Sequence, residues 1–328
     1  MTPSAILAAF RNLRILVIGD VMLDHYLWGE VTRISPEAPV PVIHVLRESH
    51  TAGGAANVAL NLAALGGTAE LIGTFGDDDA GKTLVQILSQ ASIDCRRCLI
   101  DPAAATIVKT RVIARTQQLC RIDREAPRHS YALEAGSGIE AMLESAIAQA
   151  DAIIVSDYAK GVITQSLLDR LIALADARGL LIAVDPKPAR SLQFHGVGLI
   201  TPNRHEALEL AGLPEPGPGE AYPLSEICRR IHHRLAPNLL VITLGADGMA
   251  VSREGQVEQV LATEAREVFD VSGAGDTVIA SLTAALATGA RAVEAAAFAN
   301  RAAGVVVSKM GTATATPDEI LHLRGVRG

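Results

Sequence analysis

The chain has 328 residues, 49% of them hydrophobic, with mean hydropathy +0.28: ample material for one large core or two modest ones, and too apolar for a disordered segment. Its formal net charge of −7 and pI of about 5.7 leave no global positive field for nucleic acid or an acidic membrane, so any phosphate must be met by local groups. Aromatic residues are only 3%, and the apolar mass is Ala, Leu, Val and Ile, which suits buried parallel strands flanked by alanine-rich helices.

The N-terminus carries Arg11 and Arg14, and its longest uninterrupted apolar run is Ile15 to Ile18, so neither a signal peptide nor a membrane span is expected, and a cytoplasmic location is. Leu13–Gly19 reads as the first buried strand and ends at Asp20 and Asp24. Tyr26–Leu46 holds Pro36, Pro39 and Pro41 within strand-rich sequence, which predicts antiparallel strands outside a main sheet. Ala69–Phe75 is a further strand. Next, Gly76-Asp77-Asp78-Asp79-Ala80-Gly81-Lys82-Thr83 matches the Walker A pattern between a strand and a helix, yet three consecutive carboxylates would occupy the loop that should wrap phosphates. Cys95 and Cys98 have metal-ligand spacing, but no second pair follows, and reduced thiols are expected. Thr106–Ile122 alternates without a nearby helix: Lys109, Arg111 and Arg115 share one face, Val108, Val112 and Ala114 the other. That basic stripe suits a lid that clamps an anion, or simply a solvated strand face.

Further along, Ala152–Val155, Leu180–Val184, Gly198–Ile200 and Leu239–Thr243 each read as buried strands, and the first is followed by an amphipathic helix at Gln165–Ala177. Repeated βα units imply an α/β fold with a mostly parallel sheet, whose ligands collect beyond the carboxyl ends of the strands. Asp157 and Lys160, Asp185 and Lys187, Asn203 and Glu206, and Thr243 and Gly245 sit at those ends. His205-Glu206 begins like a metalloprotease helix, but Glu209 stands where the second His should be.

The most informative stretch is Val268-Phe269-Asp270-Val271-Ser272-Gly273-Ala274-Gly275-Asp276-Thr277. The small residues Gly273, Ala274 and Gly275 let bare N–H groups point outward at the positive end of a helix, roughly Ala274–Leu286, which makes an anion site. Asp276 in the first turn sets a carboxylate beside it. Phosphoryl transfer to a hydroxyl needs both, since the acceptor loses a proton while charge spreads over the transferred group. The alternative is that Asp276 merely caps a helix behind a glycine turn.

Gly53-Gly54-Ala55-Ala56-Asn57-Val58-Ala59, the Gly76/Asp78/Gly81 loop, and Asp270 through Asp276 together resemble the ribokinase (PfkB-type) sugar kinases over essentially the whole chain. The resemblance implies one ribokinase-like domain over residues 1–328, with helices on both faces of a central sheet and a small β lid within about 24–46 and 104–124. It also implies ATP with Mg2+, Asp276 as general base, and an anion hole from Gly273 to Gly275. The Gly-x-Asp-x-x-Gly loop of that family replaces the Walker reading. Gly19-Asp20-Val21-Met22-Leu23-Asp24, the run Arg33 to Val42, Ser156 to Gly161, Asp185-Pro186-Lys187 and Thr201-Pro202-Asn203 are similar to the D-glycero-β-D-manno-heptose-7-phosphate kinases, which phosphorylate the anomeric hydroxyl on the route to ADP-heptose for lipopolysaccharide.

By that match, Asp24, Gly53, Gly54 and Asn57 bind sugar hydroxyls, and Arg111 with Lys109 or Lys160 holds the remote phosphate. Lys187, Asn203 and Glu206 lie near the ATP phosphates, Glu206 meeting Mg2+ through water; Thr243, Gly245 and Gly248 line the nucleotide groove, with Asn300 and Ala303 near the base on a helix at Val293–Ser308. The alternative for Asp24, Gly54 and Asn57 is a turn or helix cap, and for Asn300 and Ala303 a packing role. The family usually carries Asp-Thr where this chain has Asp270-Val271, which leaves a potassium site at Asp270 open. Some heptose kinases are fused to a nucleotidyltransferase, and this sequence is expected to hold the kinase half. A homodimer through the lid strands is expected from the family. A sugar-sensing protein on the same scaffold would need neither Asp276 nor the anion hole.

Overall fold

Runs of branched apolar residues pair into an eight-stranded sheet in the order Gln256–Leu261, Met249–Arg253, Leu239–Thr243, Leu199–Ile200, Leu181–Asp185, Ala152–Ser156, Arg14–Gly19 and Thr68–Ile72. The computed structural model describes residues 1–323 apart from 116, 134–136, 189–191 and 266. The last six strands of that order are parallel and the first two add an antiparallel edge. Side-chain alternation explains their continuous hydrophobicity: Ile15 and Val17 enter one core, Leu16 and Ile18 the other. Each such side chain contributes about 1.5–3 kcal/mol on burial.

Pro3–Phe10, Ala55–Ala64, Ala274–Ala287 and Ala292–Val306 cover the first face; Ser137–Ile147, Gln165–Asp176, Arg204–Ala211 and Leu224–Leu235 cover the second. Ala274–Ala287 is buried without interruption from Asp276 to Ala285, which its Ala, Ser and Thr content permits by letting neighbouring backbones approach. Among the described residues, no helix is long and apolar enough to cross a membrane.

A second sheet, in the order Pro41–Gly54, Val21–Ile34, Ile107–Ala114 and Gln117–Arg124, stands outside the first. Its outer pairs are antiparallel, but Val21–Ile34 and Ile107–Ala114 run parallel, contrary to the all-antiparallel expectation. They are joined through intervening helices rather than a hairpin, which allows the same direction. Pro36 and Pro39 fall in the connection and Pro41 opens its strand, where a missing N–H costs little.

Three other readings change. Ala69–Phe75 is not one strand: the chain breaks at Gly73, where a Cβ would lie 2.4 Å from Val21 Cγ2, and Thr74–Gly76 pairs instead with Leu99–Asp101. Arg115 leaves the basic stripe, because its strand ends at Ala114 and Arg115 occupies the exposed turn with φ 55°. The hairpin Met249–Arg253/Gln256–Leu261 was not anticipated; Glu254 (φ 51°) and Gly255 (φ 75°) make its two-residue turn.

Candidate active site

From Arg14–Gly19 the chain runs first to Thr68–Ile72 on one side and only later to Ala152–Ser156 on the other, so a topological switch point opens beyond Gly19 and Ser156. Asp20, fully buried there, shapes the crevice: its Oδ2 accepts the N–H groups of Tyr158 (2.8 Å) and Lys160 (2.9 Å), and its Oδ1 that of Val162 (3.0 Å). Three N–H bonds to one carboxylate fix the loop after Ser156 and aim Tyr158 across the crevice.

Tyr158 meets Asp276. The Asp276 carboxylate, 3% exposed, accepts the Tyr158 hydroxyl at 2.6 Å on Oδ1 and Asn57 Nδ2 at 2.7 Å on Oδ2. Burial pushes its pKa up to about 6; the bonds from Tyr158 and Asn57 and the Lys109 charge oppose the rise, and the Asp24 charge adds to it. Burial and the same carboxylate hold the Tyr158 phenol well above its usual range, so it stays a donor. Asn61, one turn after Asn57, donates to the Asn57 carbonyl (2.9 Å) and accepts Thr277 Oγ1 (2.9 Å), locking the helices Ala55–Ala64 and Ala274–Ala287 at this point.

Gly273 precedes the second helix with φ 78°, and a Cβ there would lie 2.8 Å from Asn57 Nδ2. Having no side chain, it leaves the N–H groups of Gly275 and Asp276 without a side-chain cap at the helix's positive end, while the Ala274 N–H donates to the Val271 carbonyl at 3.2 Å. A Cβ on Gly275 would meet nothing within 4 Å, so packing does not demand glycine there and the space before it is open. Asp270 stiffens the approach: Oδ1 accepts Ser272 N–H (2.9 Å) and Oδ2 accepts Gly311 N–H (3.0 Å). Each Asp270 oxygen keeps a lone pair beyond these bonds.

The lid presents Asp24, Lys109 and Arg111 to the same crevice. Asp24, 5% exposed, pairs with Arg111 Nη1 at 2.5 Å and accepts Thr312 Oγ1 at 3.0 Å; Tyr26 bonds Thr312 and lies 5.3 Å beneath the Arg111 guanidinium. Gly53 packs on Asp24, where a Cβ would lie 2.6 Å from Oδ2, and Gly54 (φ 58°) packs on the Asp20 carbonyl at 2.4 Å by the same measure. Lys109 Nζ sits 5.3 Å over the Tyr158 ring. Its pKa is lowered by burial first, with Asp24 opposing and Lys160, Arg121 and Arg111 adding. Lys160 itself pairs with Glu125.

Beyond the neighbouring strands, Glu206 is 7% exposed; its Oε1 accepts Lys187 Nζ (2.8 Å) and its Oε2 accepts Asn203 N–H (2.9 Å). Asn203 Oδ1 accepts the N–H groups of His205 and Glu206 at 3.0 Å, completing a capping box. Asp185 lies between the two halves: burial, then the charges of Glu206 and Asp276, hold its carboxyl well above the usual range. The buried Glu206 and the half-buried Asp185 carboxylates, opposed by Lys187, fit a hydrated Mg2+. Thr243 bridges to Asn203; Gly245 (φ 64°) and Gly248 (φ 89°) bound the turn that follows. Asn300 Nδ2 donates to the Ala262 carbonyl (2.6 Å), and Ala303 packs against the core.

Sequence reasoning passed over Thr312, Tyr26 and Asn61 as site residues, and quoted Tyr158 without a role. Asn57 and Asn61 at i, i+4 in an apolar helix were a readable signal; the contacts of Thr312 were not, since it lies 288 residues from Asp24. The Walker match closes on itself: Asp78 caps the helix Asp79–Gln90 by accepting Gly81 N–H (2.8 Å), and Lys82 is 70% exposed. Cys95 and Cys98 are free thiols and form no metal-binding group among the described residues.

Residues 12–319 match the model of the pfkB family carbohydrate kinases. The chain is 44% identical over 317 residues to the bifunctional protein HldE of Caulobacter sp. (strain K31), covering 96% of this chain and 63% of that one. It is 44% identical over 325 residues to HldE of Nitrosococcus oceani, covering 97% and 66%. It thus spans less than two thirds of the length of these relatives. Similar solved structures are Arabidopsis thaliana ribokinase complexed with ribose and ATP (TM-score 0.76, 20% identity, 95% of this chain and 98% of that one) and Escherichia coli phosphofructokinase-2 in complex with potassium (TM-score 0.74, 20% identity, 95% and 97%). At that identity they speak for the fold.

Proposed function

The chain belongs to the pfkB family of carbohydrate kinases, ATP-dependent enzymes, and on that premise we propose that its acceptor is the anomeric hydroxyl of D-glycero-β-D-manno-heptose 7-phosphate, giving the 1,7-bisphosphate. The observation that carries the reading is Asp276: a buried carboxylate with pKa about 6, in the first turn of a helix whose N-terminus carries no side-chain cap. Above pH 6 it is ionised, and its oxygens keep lone pairs beyond those used by Tyr158 and Asn57. The acceptor O–H gives its proton to Asp276 as the new O–P bond forms and the bond from the γ-phosphorus to the bridging oxygen breaks, releasing ADP.

The N–H groups near Gly273, Ala274 and Gly275 face the charge that spreads over the transferred group. Glu206 and Asp185 would hold Mg2+ through water, and the ion would neutralise charge on the nucleotide phosphates. Asp24 and Asn57 orient the sugar, with backbone at Gly53 and Gly54 close by; Lys109 and Arg111 meet the remote phosphate, joined by Lys160 once it parts from Glu125. Lys187, Asn203, Thr243, Gly245, Gly248, Asn300 and Ala303 frame the nucleotide side. The phosphate contacts favour a phosphorylated acceptor over a plain sugar. Exposed Val31, Ile34, Val45, Leu46 and Ile122 on the lid support a homodimer through that sheet, which sedimentation across protein concentrations would test.

Coupled ADP release with heptose 7-phosphate, fructose 6-phosphate, ribose, adenosine or no acceptor, with and without potassium, tests the proposal. Selective turnover of heptose 7-phosphate is expected. Turnover of another sugar overturns the substrate and keeps the base; binding without ADP release points to a sensor.

A further inference from the structure

The lid carries a second cluster of chemistry on the face turned away from Asp24. His25 follows Asp24 on the strand Val21–Ile34, so its side chain leaves by the opposite face. His50 stands directly across from it on Pro41–Gly54, and Glu48, two residues earlier, shares that face. One donor atom from each of the three lies within 4.8 Å of the others. The two rings stack with centroids 4.5 Å apart and planes 11° from parallel. Glu48 Oε1 is 2.7 Å from His25 Nε2 and 3.6 Å from His50 Nε2.

His25 behaves as a prepared ligand. Its Nδ1 contacts Thr110 Oγ1 at 3.1 Å, which fixes the ring and turns Nε2 toward the other two groups. That Nε2 is buried yet finds no hydrogen-bond partner among the described residues, because the nearby Glu48 oxygen lies off the ring's N–H direction. The side chain of His25 is 17% exposed, against 34% for His50 and 54% for Glu48, so a fixed donor faces two that can swing. Convergence on one ion asks that His50 rotate out of the stack and that the exposed Glu48 carboxylate swing with it.

We propose that His25, His50 and Glu48 bind a divalent transition-metal ion of the zinc class, which clips the first two lid strands together. Two imidazoles and one carboxylate suit zinc and leave a fourth position for water, whereas magnesium and calcium prefer all-oxygen sets. The clip sits one residue from Asp24, so it holds the strand that presents that carboxylate, and through the His25–Thr110 contact it touches the strand that carries Lys109 and Arg111.

The test uses the metal-free full chain carrying Cys120→Ser, since Cys120 is an exposed thiol. Zinc is titrated calorimetrically and cobalt by its visible absorption. One saturable zinc equivalent is expected, unaffected by excess magnesium. It should be lost in His25→Ala and weakened at least about tenfold in His50→Gln; Thr110→Val should weaken it on the order of 10–100-fold through loss of ring orientation. His50→Gln alters a partly exposed side chain, and its circular dichroism and melting without metal should match the parent, which separates lost binding from lost fold. Absence of saturable zinc binding, or an equivalent retained unchanged in His50→Gln, overturns the proposal.

Discussion

Replacing Tyr158 with Phe removes one hydroxyl and keeps the ring under Lys109, so the change acts on Asp276 almost alone. Asp276 titrates at about 6 because burial raises it while Tyr158, then Asn57, hold it down. A hydrogen bond to a charged group contributes about 1.5–3 kcal/mol, and one pKa unit corresponds to about 1.4 kcal/mol, so losing the phenol should raise Asp276 by about one to two units. At pH 7 the ionised fraction then falls from about nine-tenths to between about a half and a tenth. The assay is kcat/KM from coupled ADP release between pH 5 and 9. The acidic limb should move from near pH 6 to roughly pH 7–8 while the alkaline plateau is retained, because the stronger base still ionises there. An acidic limb that stays in place, with only the plateau lowered, would refute the argument: Tyr158 would then position substrate rather than tune the base.

Asp276→Asn should lower kcat by on the order of 10²–10⁴ through loss of the base, and by more if site electrostatics go with it. The same variant should be more stable than the parent at high pH. Asp276 has its folded pKa raised from 3.8 to about 6, so its protonation favours the fold at low pH and that contribution is lost as pH rises through 6. Urea unfolding should give a gain of about 3 kcal/mol at pH 8 and roughly half that at pH 5; a pH-independent difference contradicts the raised pKa. Gly273→Ala and Gly275→Ala should part company: the first adds strain of about 1–2 kcal/mol at φ 78° and crowds Asn57, lowering Tm. The second should leave Tm unchanged and depress kcat by blocking the helix end. Lys109→Met should raise KM for the phosphorylated sugar while KM for ATP holds, and equal rises in both would move Lys109 out of the sugar side. Lys82→Ala should leave ATP binding intact, since that side chain is 70% exposed; loss of nucleotide binding would revive the Walker reading.

Much of this was legible in the residues. Uninterrupted apolar runs such as Ile15–Ile18 and Leu239–Ile242 can satisfy both faces of a sheet only if helices cover each side, so the α/β class and the strand positions follow from composition and period. The helix behind Gly273 and the acid in its first turn were equally local, being set by backbone freedom and helix polarity within a few residues. Pairing direction was not, because it depends on where chain segments leave the main body; hence the parallel contact of Val21–Ile34 with Ile107–Ala114. The occupation of Asp276 by Tyr158 and Asn57, of Asp24 by Arg111 and Thr312, and of Asp270 by Gly311 joins groups tens to hundreds of residues apart. A carboxylate's pKa and its partners are properties of the dry space around it, and no one-dimensional pattern encodes that space. Sequence determined which groups were on hand and on which elements; only tertiary packing decided which of them share a desolvated crevice, and so which carboxylate titrates near neutrality.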